Sequence, residues 1–379
     1  MKNSKIWLSS PHMGGSEQKY VQEAFDTNWI APLGPNVTGF ENDLKEYLIE
    51  NKYAACLSSG TAAIHLALVQ LGVSRGDEVL CQTFTFCGSA NPIMYQGANP
   101  IFVDSEFETW NMCPNHLETA IKDRISKGKR PKAIILVHLY GMPAKINEII
   151  SIANKYEIPI IEDAAEALGS SYKGQKCGTF GTFGVLSFNG NKIITTSGGG
   201  ALICNSEEEK NNTVFYATQA RDDAPHYQHS KIGYNYRMSN ISAGIGRGQM
   251  EVLDKHVRLR REMNTFYKTL FANIGGINVM SEPNDDYFSN SWLSCILVSE
   301  QFGYTKNYII KAMADCNIET RPLWKPMHIQ PIFKRYDYYG QGESEQLFEK
   351  GICLPSGSNL TDEDKNRISE AFMSLLSRA

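Results

Sequence analysis

An α/β fold with a largely parallel sheet, followed by a smaller carboxy-terminal domain, is what the sequence predicts. Three observations predict it. Short apolar runs alternate with helical patterns from about residue 53 to 205, small and polar residues cluster just after several of those runs, and the texture changes beyond a charged helix near residue 250. Ahead of the sheet, helices are read near Ser16–Asp26 and Thr38–Ile49, joined by an ordered loop over Trp29–Val37 that carries Pro32, Gly34 and Pro35. Strands are read at Tyr53–Leu57, Glu78–Cys81, Pro100–Asp104, Ala133–Leu139, Ile158–Asp163, Val185–Phe188 and Ala201–Cys204. Thr61–Leu71 has apolar residues at helical spacing, and Pro114–Ser126 and Ile146–Tyr156 show it more weakly, so each crossover is a helix packed on the sheet. Gly244–Tyr267, rich in Arg and Glu, reads as one long helix. It leads from a large domain over residues 1–250 to a small α+β domain over 251–379, with no flexible linker between them, so the two should pack closely.

The bulk composition excludes several classes of function. The chain has 379 residues, 42% of them hydrophobic, which is ample for a core. Its 37 basic and 41 acidic residues nearly balance, so neither a nucleic acid nor an anionic membrane is expected as a partner, and any bound anion must be met locally. Nine cysteines, scattered singly without a C-x-x-C pair, read as small core residues in a reducing compartment. No stretch reaches the roughly 18 apolar residues of a membrane span. Met1–Pro11 also lacks the pattern of a secretory signal, and a cytoplasmic protein is expected.

Open parallel sheets bind ligands outside the carboxyl ends of their strands, which directs attention to the residues after each run. Ser58-Ser59-Gly60-Thr61 follows a strand and opens a helix, where free N–H groups and the positive end of the helix dipole favour a phosphate; alone, it is equally a Ser/Thr N-cap. Thr83-Phe84-Thr85-Phe86 follows the next strand and offers a ring that can stack on a planar ligand or simply fill the core. Ile160-Ile161-Glu162-Asp163 ends a buried strand on two acids. A carboxylate such as Asp163 beside a pyridine nitrogen would keep it protonated and make the ring an electron sink. Ser187-Phe188-Asn189-Gly190-Asn191-Lys192 sets a lysine in a polar turn, with Gly198-Gly199-Gly200 leaving room behind it. An amine so placed suits a Schiff-base nucleophile, and Ser187 offers a hydroxyl to a phosphate. Each feature is modest alone, but together, in this order on one sheet edge, they are a much stronger signal for a pyridoxal phosphate site.

With these motifs the chain closely resembles the DegT/DnrJ/EryC1/StrS family of sugar aminotransferases, which have the aspartate-aminotransferase fold, fold type I. The likeness runs nearly end to end. It also takes in Pro11-His12-Met13-Gly14-Gly15, His138-Leu139-Tyr140-Gly141, Gly233-Tyr234-Asn235-Tyr236-Arg237 and Arg321-Pro322-Leu323-Trp324 with Met327-His328. The resemblance implies that Lys192 carries pyridoxal phosphate as a Schiff base, Asp163 pairs with the pyridine nitrogen, and Phe86 stacks on the ring. It further implies that Gly60, Thr61 and Ser187 hold the phosphate, while Asn235 reaches the phosphate of a partner subunit, so the active unit is a homodimer with shared sites. Glu166 departs from the family pattern, since many relatives carry Gln or His there; two carboxylates so close require one to be neutral or partnered. Lys192 argues against the sugar-dehydrating members of the family, which have His in its place.

The stretches Asn28–Gly34, Asn189–Gly200 and Glu319–Lys325 look most like enzymes that aminate UDP-4-keto-6-deoxy-N-acetylglucosamine on the way to bacillosamine. The reaction this implies is transfer of the amino group of L-glutamate to C4 of the sugar. Arg237, Arg321 and Lys325 are candidates for meeting the diphosphate, with His328 near the sugar. Alternatives are the same chemistry on GDP-4-keto-6-deoxymannose or a UDP-linked C3 ketone, a different pyridoxal phosphate reaction, and a non-catalytic regulator that keeps the fold; an intact Lys192 with Asp163 speaks against the last.

Overall fold

The computed structural model describes residues 4–49 and 51–376. Helices α1 (Glu17–Asp26) and α2 (Pro35–Leu48) precede β1 (Tyr53–Leu57). There follow α3 (Gly60–Gln70), β2 (Glu78–Gln82), α4 (Cys87–Tyr95), β3 (Asn99–Val103), α5 (Pro114–Ser126), β4 (Ala133–Val137), α6 (Ile146–Lys155) and β5 (Ile160–Asp163). A small hairpin of β6 (Ser171–Tyr172) and β7 (Gln175–Lys176) leads to β8 (Phe183–Ser187), β9 (Gly200–Cys204), α7 (Glu207–Ala217) and α8 (Asn240–Met250). After α9 (Leu253–Phe271) come β10 (Ile277–Val279), β11 (Tyr287–Phe288), β12 (Ser294–Val298), α10 (Lys306–Asp315) and β13 (Arg321–Pro322). The chain closes with β14 (Tyr338–Tyr339), α11 (Glu343–Lys350), β15 (Gly351–Leu354) and α12 (Asp362–Leu376).

The main sheet has the strand order β1-β9-β8-β5-β4-β2-β3-β14. Only β9 runs against its neighbours; the other pairings are parallel. Strands covered on both faces need apolar residues throughout, and β4, Ala-Ile-Ile-Leu-Val, is buried at every position. Its alternate residues face opposite ways. Ile134 and Leu136 join a core with Phe40, Leu117, Ile121 and Ile149, whereas Ala133 and Ile135 join one with Ile64, Leu66 and Ile93. The fold is aspartate-aminotransferase-like: a mixed, mostly parallel sheet with helices on both faces, and a second, antiparallel sheet of order β10-β12-β15-β13. Tyr267, Phe271, Ile309 and Phe372 pack on that second sheet. The two halves of the chain interleave, because Ile6 bridges Ile318 and enters this second core while β14 returns to the edge of the main sheet beside β3.

The single helix expected over Gly244–Tyr267 is two. Val252 leaves the helical region (φ −117°, ψ 5°), and α9 departs towards the second sheet while α8 stays against α1 and α2. Gly248 permits that contact, since a Cβ there would lie 2.6 Å from the backbone nitrogen of Glu17. Apolar spacing continues across one non-helical residue, so periodicity does not register the break. Among the described residues, no helix is long and apolar enough to cross a membrane.

Candidate active site

Parallel strands place their carboxyl ends on one side, and the loops leaving β1, β2, β5 and β8 line a cavity of about 330 Å³. At the end of β1, Ser59 caps α3, its hydroxyl accepting the N–H of Ala62 at 3.0 Å. The first-turn N–H groups of Gly60 and Thr61 have no acceptor within the helix and lie at the cavity wall. A Cβ on Gly60 would come within 3.2 Å of the Ser187 Cβ, so this backbone and the Ser187 side chain from β8 share one tight polar corner. Phe86, after β2, is 53% exposed and meets Trp324 at 5.5 Å.

Asp163 ends β5 on the same wall, 7% exposed. The Ser89 hydroxyl donates to its Oδ2 at 2.6 Å and the Ala165 N–H to its Oδ1 at 3.2 Å. Thr85 Oγ1 lies 2.7 Å from the Ser89 oxygen, and because Ser89 gives its proton to Asp163, Thr85 is the donor in that contact. Lys192 comes from the turn after β8. Its Nζ lies 3.4 Å from Glu166 Oε1 and 4.0 Å from the centroid of the Trp292 ring, a cation–π contact.

Glu166 is partnered as its neighbourhood demands. Its Oε2 accepts the N–H of Tyr140 at 2.6 Å, and Tyr140 is held in the left-handed region (φ 56°). Burial pushes the Glu166 carboxyl above its ordinary value, nearby Asp163 adds to that, and Lys192 and the Tyr140 N–H work against it. Beneath this layer the fully buried Glu162 accepts N–H groups from Gly178 (2.9 Å), Phe180 (2.5 Å) and Gly181 (2.6 Å) and the Nε2 of His138 at 2.9 Å. The N–H of Ala144 donates to His138 Nδ1 at 3.1 Å, which leaves the ring proton on Nε2, facing Glu162.

Of the residues singled out in the sequence, Gly60, Thr61, Phe86, Asp163, Glu166, Ser187 and Lys192 line this one cavity. Arg321 lines an adjoining space of about 570 Å³ that shares Asn191, Trp292 and Trp324 with it. Lys325 is exposed. Arg237, His328 and Asn235 are not brought to the wall. The Arg237 guanidinium is held by Glu41 Oε1 at 2.5 Å and the Cys56 carbonyl at 2.9 Å, because Glu41 is buried and needs a cation there. His328 binds Thr83 Oγ1 (2.7 Å) and Glu345 (3.2 Å) and stacks on Tyr338 at 3.8 Å. Asn235 is exposed beside Thr218, with which it forms a bridge. Three wall residues, Ser89, Trp292 and Trp324, were not picked out as site residues. Ser89 lies in a helix whose sequence contains Gly88 and Pro92, and nothing in the irregular segment around Trp292 distinguishes it from core.

These residues fit pyridoxal phosphate: a polar helix-start corner, a carboxylate held by a serine, a half-exposed ring and an amine, all on one wall. Fold and site together define a pyridoxal-phosphate-dependent aminotransferase of fold type I. Comparison with known proteins agrees. The model of the DegT/DnrJ/EryC1/StrS aminotransferase family matches residues 11–373, and the chain belongs to that family. It is 51% identical to EpsN of Bacillus subtilis, provisionally named a pyridoxal phosphate-dependent aminotransferase, over 98% of this chain and 96% of that one. It is 38% identical to GDP-perosamine synthase of Escherichia coli O157:H7, over 97% of each. The pyridoxal phosphate form of Spr1654 from Streptococcus pneumoniae, provisionally described as a sugar aminotransferase, aligns with a TM-score of 0.90 at 26% identity over 99% of both chains. The protein is a sugar aminotransferase that uses pyridoxal phosphate.

Proposed function

We propose that the protein transfers the amino group of L-glutamate to C4 of UDP-4-keto-6-deoxy-N-acetylglucosamine, giving UDP-4-amino-4,6-dideoxy-N-acetylglucosamine for bacillosamine-type glycans. The observation that carries the transamination is the Lys192 amine and the Asp163 carboxylate on the wall of one cavity, with the Gly60–Thr61–Ser187 corner on that wall too. When bound, pyridoxal phosphate supplies the electron sink and the temporary store of the amino group. Lys192 would hold it through Nζ and, once free, take a proton from Cα of glutamate and later deliver one to C4 of the sugar. Asp163, oriented by Ser89 and Ala165, would keep the pyridine nitrogen protonated. Phe86 would cover the ring face, and Gly60, Thr61 and Ser187 would take the phosphate. Glu166, beside Lys192, would accept or share the proton that the amine carries.

The active unit in this reading is a homodimer, in which Asn235, exposed and away from its own chain's cavity, reaches the phosphate corner of a second copy. Arg321 and Lys325 would meet the substrate's diphosphate outside the cavity. A second reading, GDP-4-keto-6-deoxymannose as acceptor, is favoured by the 38% identical GDP-perosamine synthase. Incubating the holoenzyme with glutamate and a panel of UDP- and GDP-linked keto-sugars, and weighing the product, decides between them. Lys192→Ala should abolish turnover with the fold kept; amino-sugar formed at the wild-type rate by that variant would sink the whole reading.

A further inference from the structure

Arg260, on α9, is 1% exposed, and among the described residues no carboxylate pairs with it. A buried cation without a counter-ion is disfavoured unless hydrogen bonds hold it. Its bonds are not spent on its own surroundings in α9. Nη1 donates to the carbonyl of Trp292 at 2.6 Å, and Nη2 donates to the carbonyl of Lys192 at 3.4 Å and the hydroxyl of Ser9 at 3.0 Å. Lys192 and Trp292 are the two residues whose side chains face each other as amine over ring. One rigid, planar group therefore spans the backbones of both partners and sets their separation. The preceding carbonyl, that of Asn191, is pinned as well, accepting the Trp292 indole N–H at 2.6 Å and the Ser9 hydroxyl at 2.7 Å.

We infer that Arg260 is a positioning residue for Lys192: its guanidinium ties the lysine turn to Trp292 and to the amino-terminal segment, so that the amine stays over the ring and against Glu166. The inference rests on Lys192 being the reactive amine. Both half-reactions use that amine, so loosening it must slow both alike.

The test compares holoenzymes of wild type, Arg260→Lys, Arg260→Met and Lys192→Ala. In single turnover, amine uptake from glutamate and amine delivery to the keto-sugar should fall by the same factor. We expect on the order of 10²-fold for Arg260→Met and less for Arg260→Lys, with both KM values within about twofold. Borohydride fixation of pyridoxal phosphate, mapped by peptide mass, should label the Lys192 peptide fully in wild type and in a smaller fraction in the Arg260 variants. A filler of the core would instead lower the melting temperature and leave both rates and the labelled fraction unchanged, which would overturn the inference. So would a loss confined to one half-reaction or to KM. If neither Arg260 variant folds, Ser9→Ala, which removes one acceptor of Arg260 and one donor to Asn191, decides by the same two readouts with a smaller effect. An active Lys192→Ala would instead refute the reading of Lys192 itself.

Discussion

Replacing Glu162 with Gln tests the layer on which the site stands. The carboxylate offers Oε1 to Phe180 and Gly181 and Oε2 to Gly178 and His138, so four donors converge on two oxygens. A glutamine of the same shape keeps one oxygen, and its NH2 must then face two N–H donors. His138 cannot relieve this by changing tautomer, because a proton on Nδ1 would oppose the Ala144 N–H. Two charge-assisted bonds, each worth about 1.5–3 kcal/mol, are lost, and the sum is about 3–6 kcal/mol. Against the roughly 5–15 kcal/mol that holds a typical protein folded, that is a large share. Urea unfolding of the apoprotein should show it as a lower midpoint with an unchanged slope. A loss below about 1 kcal/mol would refute the reasoning, since it would mean that the carboxylate is dispensable as a fourfold acceptor.

Three further outcomes follow from the geometry. Glu166 has its folded value raised, mainly by burial, above the ordinary 4.5. The stability it contributes is therefore present below about pH 4.5 and lost as pH rises through the folded value, so Glu166→Gln should gain on wild-type apoprotein across that rise in urea melts; a gap independent of pH would contradict it. Arg237→Met should destabilise by about 3 kcal/mol, because it leaves buried Glu41 with Lys210 as its remaining cation, while the KM for nucleotide sugar stays unchanged. A higher KM at wild-type stability would return Arg237 to the substrate. Arg321→Met should raise the KM for the nucleotide sugar about tenfold, equivalent to about 1.4 kcal/mol, and leave that for glutamate alone, as steady-state kinetics with each substrate varied would show.

The α/β core was legible because both of its signals are local. The seven strands and three crossover helices between Tyr53 and Cys204 fall within two residues of their predicted ends. Local reasoning passed over α4, because Gly88, Asn91 and Pro92 look like helix breakers, yet Pro92 sits inside a helix fixed by its packing on α3 and β3. The site followed the same division. Gly60, Asp163, Ser187 and Lys192 sit where a strand ends, and strand ends can be read from one segment at a time. Trp292 and Ser89 matter through partners 100 and 74 residues away, Lys192 and Asp163. Arg237, read from the sequence as a candidate for the diphosphate, and His328, read as lying near the sugar, are consumed in the fold by Glu41 and by Thr83 with Glu345.

That consumption bears on where an anionic substrate can lie. Lys192 is the one cation among the described residues lining the cavity, and it faces Glu166 with Asp163 close by. The corner at Gly60 offers N–H groups and a hydroxyl, enough for one phosphate and with no cation spare for a second anion. A diphosphate drawn deeper would meet two carboxylates, so it gains by staying outside. The adjoining space offers Arg321, 66% exposed and held at 2.6 Å by Glu319, which is 14% exposed and lines the same space, so a diphosphate there must draw Arg321 out of that pair. A keto-sugar reaching Lys192 with its nucleotide left on that side satisfies both demands, with Trp292 and Trp324 shared between the two spaces as the walls it passes. The charge pattern thus favours a long, two-part substrate over a free sugar, independently of which base the nucleotide carries.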